Sequence, residues 1–301
     1  MRSELNNIPP TFVPALRETL SAFLNRCGEL ADANGNVPAS TSQATQERTD
    51  SQRPESIVSA WSVASLLIEN SADHISLFVK SIDEPIESLA CWTSIRSMME
   101  PCSIAAWLLD PQIDARARVS RVFALRYEGL TQQQKFARSI NQPDAEIQKI
   151  GDRINDVEQA AVNLGYSTVL DRNGRRIGIG ERMPGATDII GDQLDDESTY
   201  RLLSAVAHGQ HWAVRQLGFH SVDSNDNPDS VGNVPTQAFE RTVNVNGIAF
   251  LGLHGALAFA HTLWNQYHYF GWNPDSIEEL FERTFDRLSF NDSMRFWRSL
   301  D

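Results

Sequence analysis

An all-α fold, a multi-helix bundle with a small inserted β-hairpin, is what this sequence predicts, and three observations carry the reading. Long segments repeat apolar residues at the three- and four-residue spacing of a single helix face. Only one short passage alternates as a strand does. The chain has 301 residues, 41% of them hydrophobic, enough to bury one large core or two modest ones.

From Thr11 to about Ala33 the residues Leu16, Leu20, Phe23, Leu24 and Leu30 mark an amphipathic helix. The stretch that follows is polar, rich in Ser, Thr and Gln, and offers little to bury. The expected organisation is therefore an N-terminal helix (residues 1–33), a flexible linker (residues 34–53) and a helical-bundle domain (residues 54–301). The first helix is expected to be loosely tethered or to dock on the body or on a second subunit. Pro54 suits the first turn of a helix running to about Ile82. The next helix, expected from Pro85 to Asp110, is apolar nearly all round and so belongs at the centre of a bundle. Arg96 and Glu100 lie four residues apart on it and should be paired, because a buried charge without a partner costs several kcal/mol. Pro101 is expected to kink this helix or restart it.

An arginine-rich helix and an Ile/Val-striped helix then form an antiparallel pair joined around Asn141 to Asp144. Asn173-Gly174 signals a type I′ turn in a hairpin near residues 168–180. After a polar loop from His220, a helix of small and apolar residues carries Gly247, Gly252 and Gly255, which permit close approach of a neighbour. An amphipathic C-terminal helix from Ser276 closes the chain.

The net charge of −13 and pI near 5.0 oppose broad capture of nucleic acid, although Arg116, Arg118, Arg121 and Arg126, and again Arg172, Arg175, Arg176 and Arg182, concentrate locally. No run approaches the ~18 consecutive apolar residues of a membrane span and no signal-peptide core opens the chain, so a cytoplasmic location and no membrane partner are expected. Cys27, Cys91 and Cys102 are expected as reduced thiols. No phosphate loop, dinucleotide fingerprint, nucleophile elbow or Glu-x-x-His occurs. Neither a cofactor nor a metal is expected; His74, Glu100, His208 and His261 are the residues that would have to converge to hold one.

The chemistry-bearing stretch is expected to be one helix from Asp196 to Phe219. At about 100° per residue it gathers Arg201, Ser204, His208, His211 and Arg215 within roughly a quarter of its circumference. Arg201 and His208 can address one phosphate, the guanidinium spreading charge while the imidazole moves a proton during attack by a ribose 2′-hydroxyl. The same residues also fit a solvated helix face.

Tyr200-Arg201 to His208-Gly209 resembles the Arg-x(4-6)-His signature of the HEPN superfamily. Asp73-His74, Arg96 to Glu100, and Tyr200, Ser204 and His208 are similar to parts of HEPN-like bacterial helical proteins, and the similarity spans about Pro54 to Trp272. The resemblance implies a metal-independent endoribonuclease, toxin- or defence-related, with Arg201 and His208 catalytic, RNA as substrate, and paired sites formed across a homodimer. The alternative is a non-catalytic helical module that binds a protein partner or small ligand, for which a homodimer is optional. In either case Tyr200, Ser204, Arg96, Glu100 and His211 are the candidate binding residues.

Overall fold

The computed structural model describes residues 11–222 and 238–286. Its elements run α1 (Phe12–Ala33), α2 (Gln43–Asp50), α3 (Pro54–Ser81), α4 (Ala90–Leu109), α5 (Ala115–Ser139), α6 (Asp144–Asn163), β1 (Thr168–Leu170), β2 (Arg176–Ile179), α7 (Ala186–Leu194), α8 (Glu197–Ala207), α9 (His211–Gly218), β3 (Phe219–Val222), β4 (Ala238–Arg241), α10 (Val245–Phe270) and α11 (Asp275–Phe285). The all-α bundle with a small hairpin is therefore the observed architecture.

Helix α4 is the axis, packed along its length by α3 and α10 and closed by α7 and α8. Its Trp92, Ile95, Met98, Met99, Cys102 and Leu108 are all buried, as a helix apolar on every side requires. It begins at Ala90 rather than at Pro85, because the Glu87 N–H closes a turn on the Ser81 carbonyl at 2.8 Å. It then continues through Pro101 as one helix to Leu109, where a kink or restart was expected. Close approach of α10 is made by its glycines: a Cβ on Gly247 would stand 2.5 Å from the Trp92 ring, and one on Gly255 2.8 Å from Ile95. Helix α10 is long and apolar enough to cross a membrane by composition, but 67% of that stretch is buried in the bundle. The antiparallel α5–α6 pair is present, joined at residues 140–143.

The N-terminal helix docks on the body, one of the arrangements expected of it, whereas the stretch that follows it departs from expectation. Helix α1 buries Leu16, Leu20 and Phe23, and the Phe23 ring meets Phe259, Phe281 and Phe285 edge-on. The stretch expected as a linker contains α2, capped where the Ser42 side chain accepts from the Thr45 N–H. Buried Glu47 on α2 accepts Nε of fully buried Arg118 at 2.8 Å and the Tyr269 hydroxyl at 2.8 Å. Arg118 also donates to the carbonyls of Leu108 and Asp110, the open end of α4, and its guanidinium lies 3.8 Å over the Tyr269 ring. Burial and the Glu47 carboxylate push the Tyr269 phenol far above its ordinary value, while the Trp61 N–H donates to its oxygen at 3.2 Å. A polar segment with almost nothing apolar to bury is thus tied to the bundle by a buried ion pair and by hydrogen bonds of Val37, Ala39 and Gln43 to Trp272, Phe270 and Ile113, devices that hydrophobic periodicity does not register.

The β1–β2 hairpin is antiparallel as expected, with a different turn. Only Gly174 takes positive φ (73°); the Gly174 N–H donates to the Asp171 carbonyl, and the Asp171 side chain accepts from Asn173 and Arg175. This is a three-residue loop ending in a left-handed glycine, favoured over type I′ because the Asp171 carboxylate stabilises the tighter first turn. A second antiparallel pair, β3–β4, borders the passage expected as loop. Most of that passage and all but the first turns of the expected C-terminal helix lie outside the described residues.

All three cysteines are free and buried, with burial raising the thiols to about 12 for Cys27 and Cys91 and about 11 for Cys102. Such thiols stay protonated near neutrality and are poor nucleophiles.

Candidate functional site

The single helix expected from Asp196 to Phe219 is two helices. Helix α8 ends at Ala207, and Gly209 at φ 63° reverses the chain. The Gln210 N–H returns to the Ala205 carbonyl at 2.8 Å and the Gly209 N–H to the Val206 carbonyl at 2.9 Å, a glycine-terminated helix end. The pair His208-Gly209 was the available signal, since glycine without a Cβ tolerates the left-handed turn that ends a helix. His211 and Arg215 therefore belong to α9 and leave the face assigned to them. Arg201, Ser204 and His208 remain on one side of α8, because the His208 N–H still bonds the Ser204 carbonyl at 2.9 Å, in helical register.

Four of the expected binding residues come together across α4 and α8. Arg96 Nε donates to Ser204 Oγ at 3.0 Å, and its Nη2 donates to the Tyr200 hydroxyl at 3.2 Å. The same nitrogen meets Glu100 Oε1 at 2.9 Å, and the Tyr200 hydroxyl donates to that oxygen at 2.7 Å. The Arg96 guanidinium also lies 5.3 Å from the Tyr200 ring centre. Arg96 and Glu100 side chains keep 23% and 36% exposure, so the network sits at the edge of the core. Burial first, and then the hydrogen bond to Glu100, raise the Tyr200 phenol above its usual range and keep it a donor. The i, i+4 spacing of Arg96 and Glu100 made their pairing legible in sequence; their meeting with Tyr200 and Ser204 needed the packing of α4 on α8.

The expected catalytic pair stands outside that network. The Arg201 side chain is 65% exposed and its Nε donates to Glu197 Oε1 at 2.6 Å, one turn back. His208 is exposed at the helix end and takes no carboxylate partner among the described residues. His211 is exposed at the start of α9. Asp73 is exposed and His74 half-buried on α3, and neither bonds to the network. Among the described residues no group of three His, Cys, Asp or Glu side chains is placed to hold a metal ion.

One histidine on α10 meets an aspartate that sequence spacing did not connect, and a second feels one at longer range. His254 Nδ1 lies 2.6 Å from Asp196 Oδ2, joining the start of α8 to α10. Burial lowers the His261 pKa below the ordinary histidine value against the opposing pull of the Asp110 carboxylate. Because the folded state favours neutral His261, the unfolded chain takes up this proton first as pH falls through about 6.5, and folding stability drops there. We expect His261→Gln to flatten the fall in thermal midpoint between about pH 7.5 and 5.5; an unchanged slope would assign it to other groups.

Comparison with protein-family models, curated proteins and solved structures finds no match to this chain. The reading of the site therefore rests on its own geometry.

Proposed function

We propose that this chain is a non-catalytic binding module whose recognition surface is the outward side of α8 and α9. The observation that carries the proposal is the separation between two sets of residues. Arg96, Glu100, Tyr200 and Ser204 satisfy one another at the edge of the core, whereas Arg201 and His208 project into solvent beside them. General acid–base work asks for an imidazole held in orientation by a partner and in reach of the proton it moves. The network instead serves as a rigid backing that fixes α8 on α4, the support a preorganised binding surface needs.

A second reading, a metal-independent endoribonuclease of HEPN type acting as a homodimer, is favoured by one observation. Arg201, Ser204 and His208 share one side of α8, about 10 Å from end to end at 1.5 Å per residue. The exposed Arg201–Glu197 pair is no obstacle to it, since such pairs contribute only about 0–1 kcal/mol and a phosphate can replace the carboxylate.

Incubating the full chain with RNA in excess chelator separates the two. The binding module leaves RNA intact, equally for the wild type, Arg201→Ala and His208→Ala. Cleavage by the wild type that either substitution abolishes would overturn the proposal in favour of the nuclease.

A further inference from the structure

We propose that the outward stripe of α3 is a docking surface for a cationic amphipathic helix of a partner protein, a second surface independent of the α8–α9 side.

Helix α3 turns Ile57, Ala64, Ile68, Ile75 and Phe78 into the bundle, and a helix packed in this way ordinarily presents polar residues on its other side. Here Leu66 is 70% exposed, Leu77 53% and Val58 38%. At about 100° per residue the three fall within about 100° of one another. Leu66 and Leu77 stand about three turns apart, roughly 16 Å, and almost in line along the axis. Single exposed apolar residues are ordinary on a protein surface, but an aligned row framed by charge is the pattern of a helix face that takes a neighbour.

Charge chooses the neighbour. Glu69 and Asp73 lie between the two leucines on the same arc, one turn apart and both exposed. Neither carboxylate has an ion-pair partner among the described residues, whereas Glu55, Asp83 and Glu87 are matched by Arg53, Arg17 and Arg241. Like charges at this spacing repel each other, and a lysine or arginine set between them relieves the repulsion. From Glu55 to Glu87 the chain holds six acids, a single lysine, Lys80, and no arginine. A second copy of the chain would bring the same carboxylates to the contact, and an anionic bilayer would be repelled by them. A helix that carries leucine-like residues along one face and lysines or arginines beside them satisfies both features: it shields Leu66 and Leu77 and neutralises Glu69 and Asp73. The row from Val58 to Leu77 is about 28 Å long, which about 20 residues of partner helix span. A contact of one helix on another belongs to the weak, transient class of interface.

The test is fluorescence anisotropy of the full chain with a labelled Leu/Lys/Ala peptide of about 20 residues, leucines on one helical face and lysines along its margin. Saturable binding is expected, weakened about tenfold or more when Leu66→Gln is combined with Leu77→Gln, and again when Glu69→Lys is combined with Asp73→Lys. Asp152 and Asp156 on α6 are exposed at the same spacing with no exposed apolar residue between them, and so supply the control. Converting both of these to Lys changes the net charge equally and should alter binding by no more than about twofold, since distant exposed charges are screened. Glutamine keeps good helix propensity and both leucines are exposed, so unfolding midpoints should not move. Arg201→Ala should leave peptide binding unchanged, and a loss there would overturn the independence of the two surfaces. Absence of binding, binding that ignores the leucine pair, or an equal loss from the α6 pair would overturn the inference. Leucine-dependent self-association in sedimentation, or leucine-dependent binding to phosphatidylserine vesicles, in place of peptide binding would overturn it as well, by giving the stripe another occupant.

Discussion

Glu47→Ala lowers the stability of this protein by about 3–5 kcal/mol, the largest single effect expected of any polar substitution in the chain. Removing the carboxylate strands the Arg118 guanidinium, fully buried and then left with the backbone carbonyls of Leu108, Asp110 and Ile113 and the face of the Tyr269 ring, with no charge to balance it. It also removes the acceptor of the Tyr269 hydroxyl and releases α2, which has only Ala44 otherwise buried. Arg118→Leu alone is expected to destabilise comparably by leaving Glu47 unpaired. Combining it with Glu47→Met should recover most of the loss, because two apolar side chains replace a pair whose desolvation offset much of its attraction. Chemical denaturation midpoints of the four proteins close the cycle. Single substitutions that shift stability by less than about 1 kcal/mol, or losses that simply add, would show that the pair does not anchor α2.

Arg96→Met comes second, with an expected loss of about 2–3 kcal/mol. Its guanidinium joins α4 to α8 through Ser204 and Tyr200, and hydrogen bonds involving a charged group contribute about 1.5–3 kcal/mol where they are shielded. The partial exposure of Arg96 and Glu100 keeps the loss below that of the Glu47 substitution. Tyr200→Phe should remove about 1–2 kcal/mol by deleting the hydroxyl that accepts from Arg96 and donates to Glu100. Because all three groups share one network, the double variant should lose less than the sum of the two singles, by at least about 0.5 kcal/mol. Strict additivity in denaturant titrations would mean that the groups act independently.

How much of this was legible in the sequence depends on what kind of force acts at each residue. The central position of α4 follows from apolar residues spread all round it, and the pairing of Arg96 with Glu100 follows from a spacing of four on an apolar helix. The end of α8 was readable at Gly209, but the amphipathic pattern runs on across it, from Leu203 and Val206 to Ala213 and Leu217, and masks the break. Periodicity records which residues are buried and is silent on whether the backbone between them is continuous. The joining of Glu47 to Arg118, of Asp196 to His254 and of the Arg96 pair to Tyr200 spans 71, 58 and 104 residues. Nothing local marks such partners, because each looks like an ordinary solvated charge or hydroxyl until the helices pack.

By itself the amino-acid order determined the helical class, the antiparallel α5–α6 pair, the hairpin and the buried axis, all of which are written in apolar spacing, loop length and turn residues that repeat over a few positions. Tertiary structure alone decided that α2 is part of the body, that the basic residues of α8 and α9 lie on two helices, and which polar groups reach the core edge. Those outcomes depend on distant side chains meeting in a medium where an unpaired charge is costly, and that energy exists only once the bundle has closed.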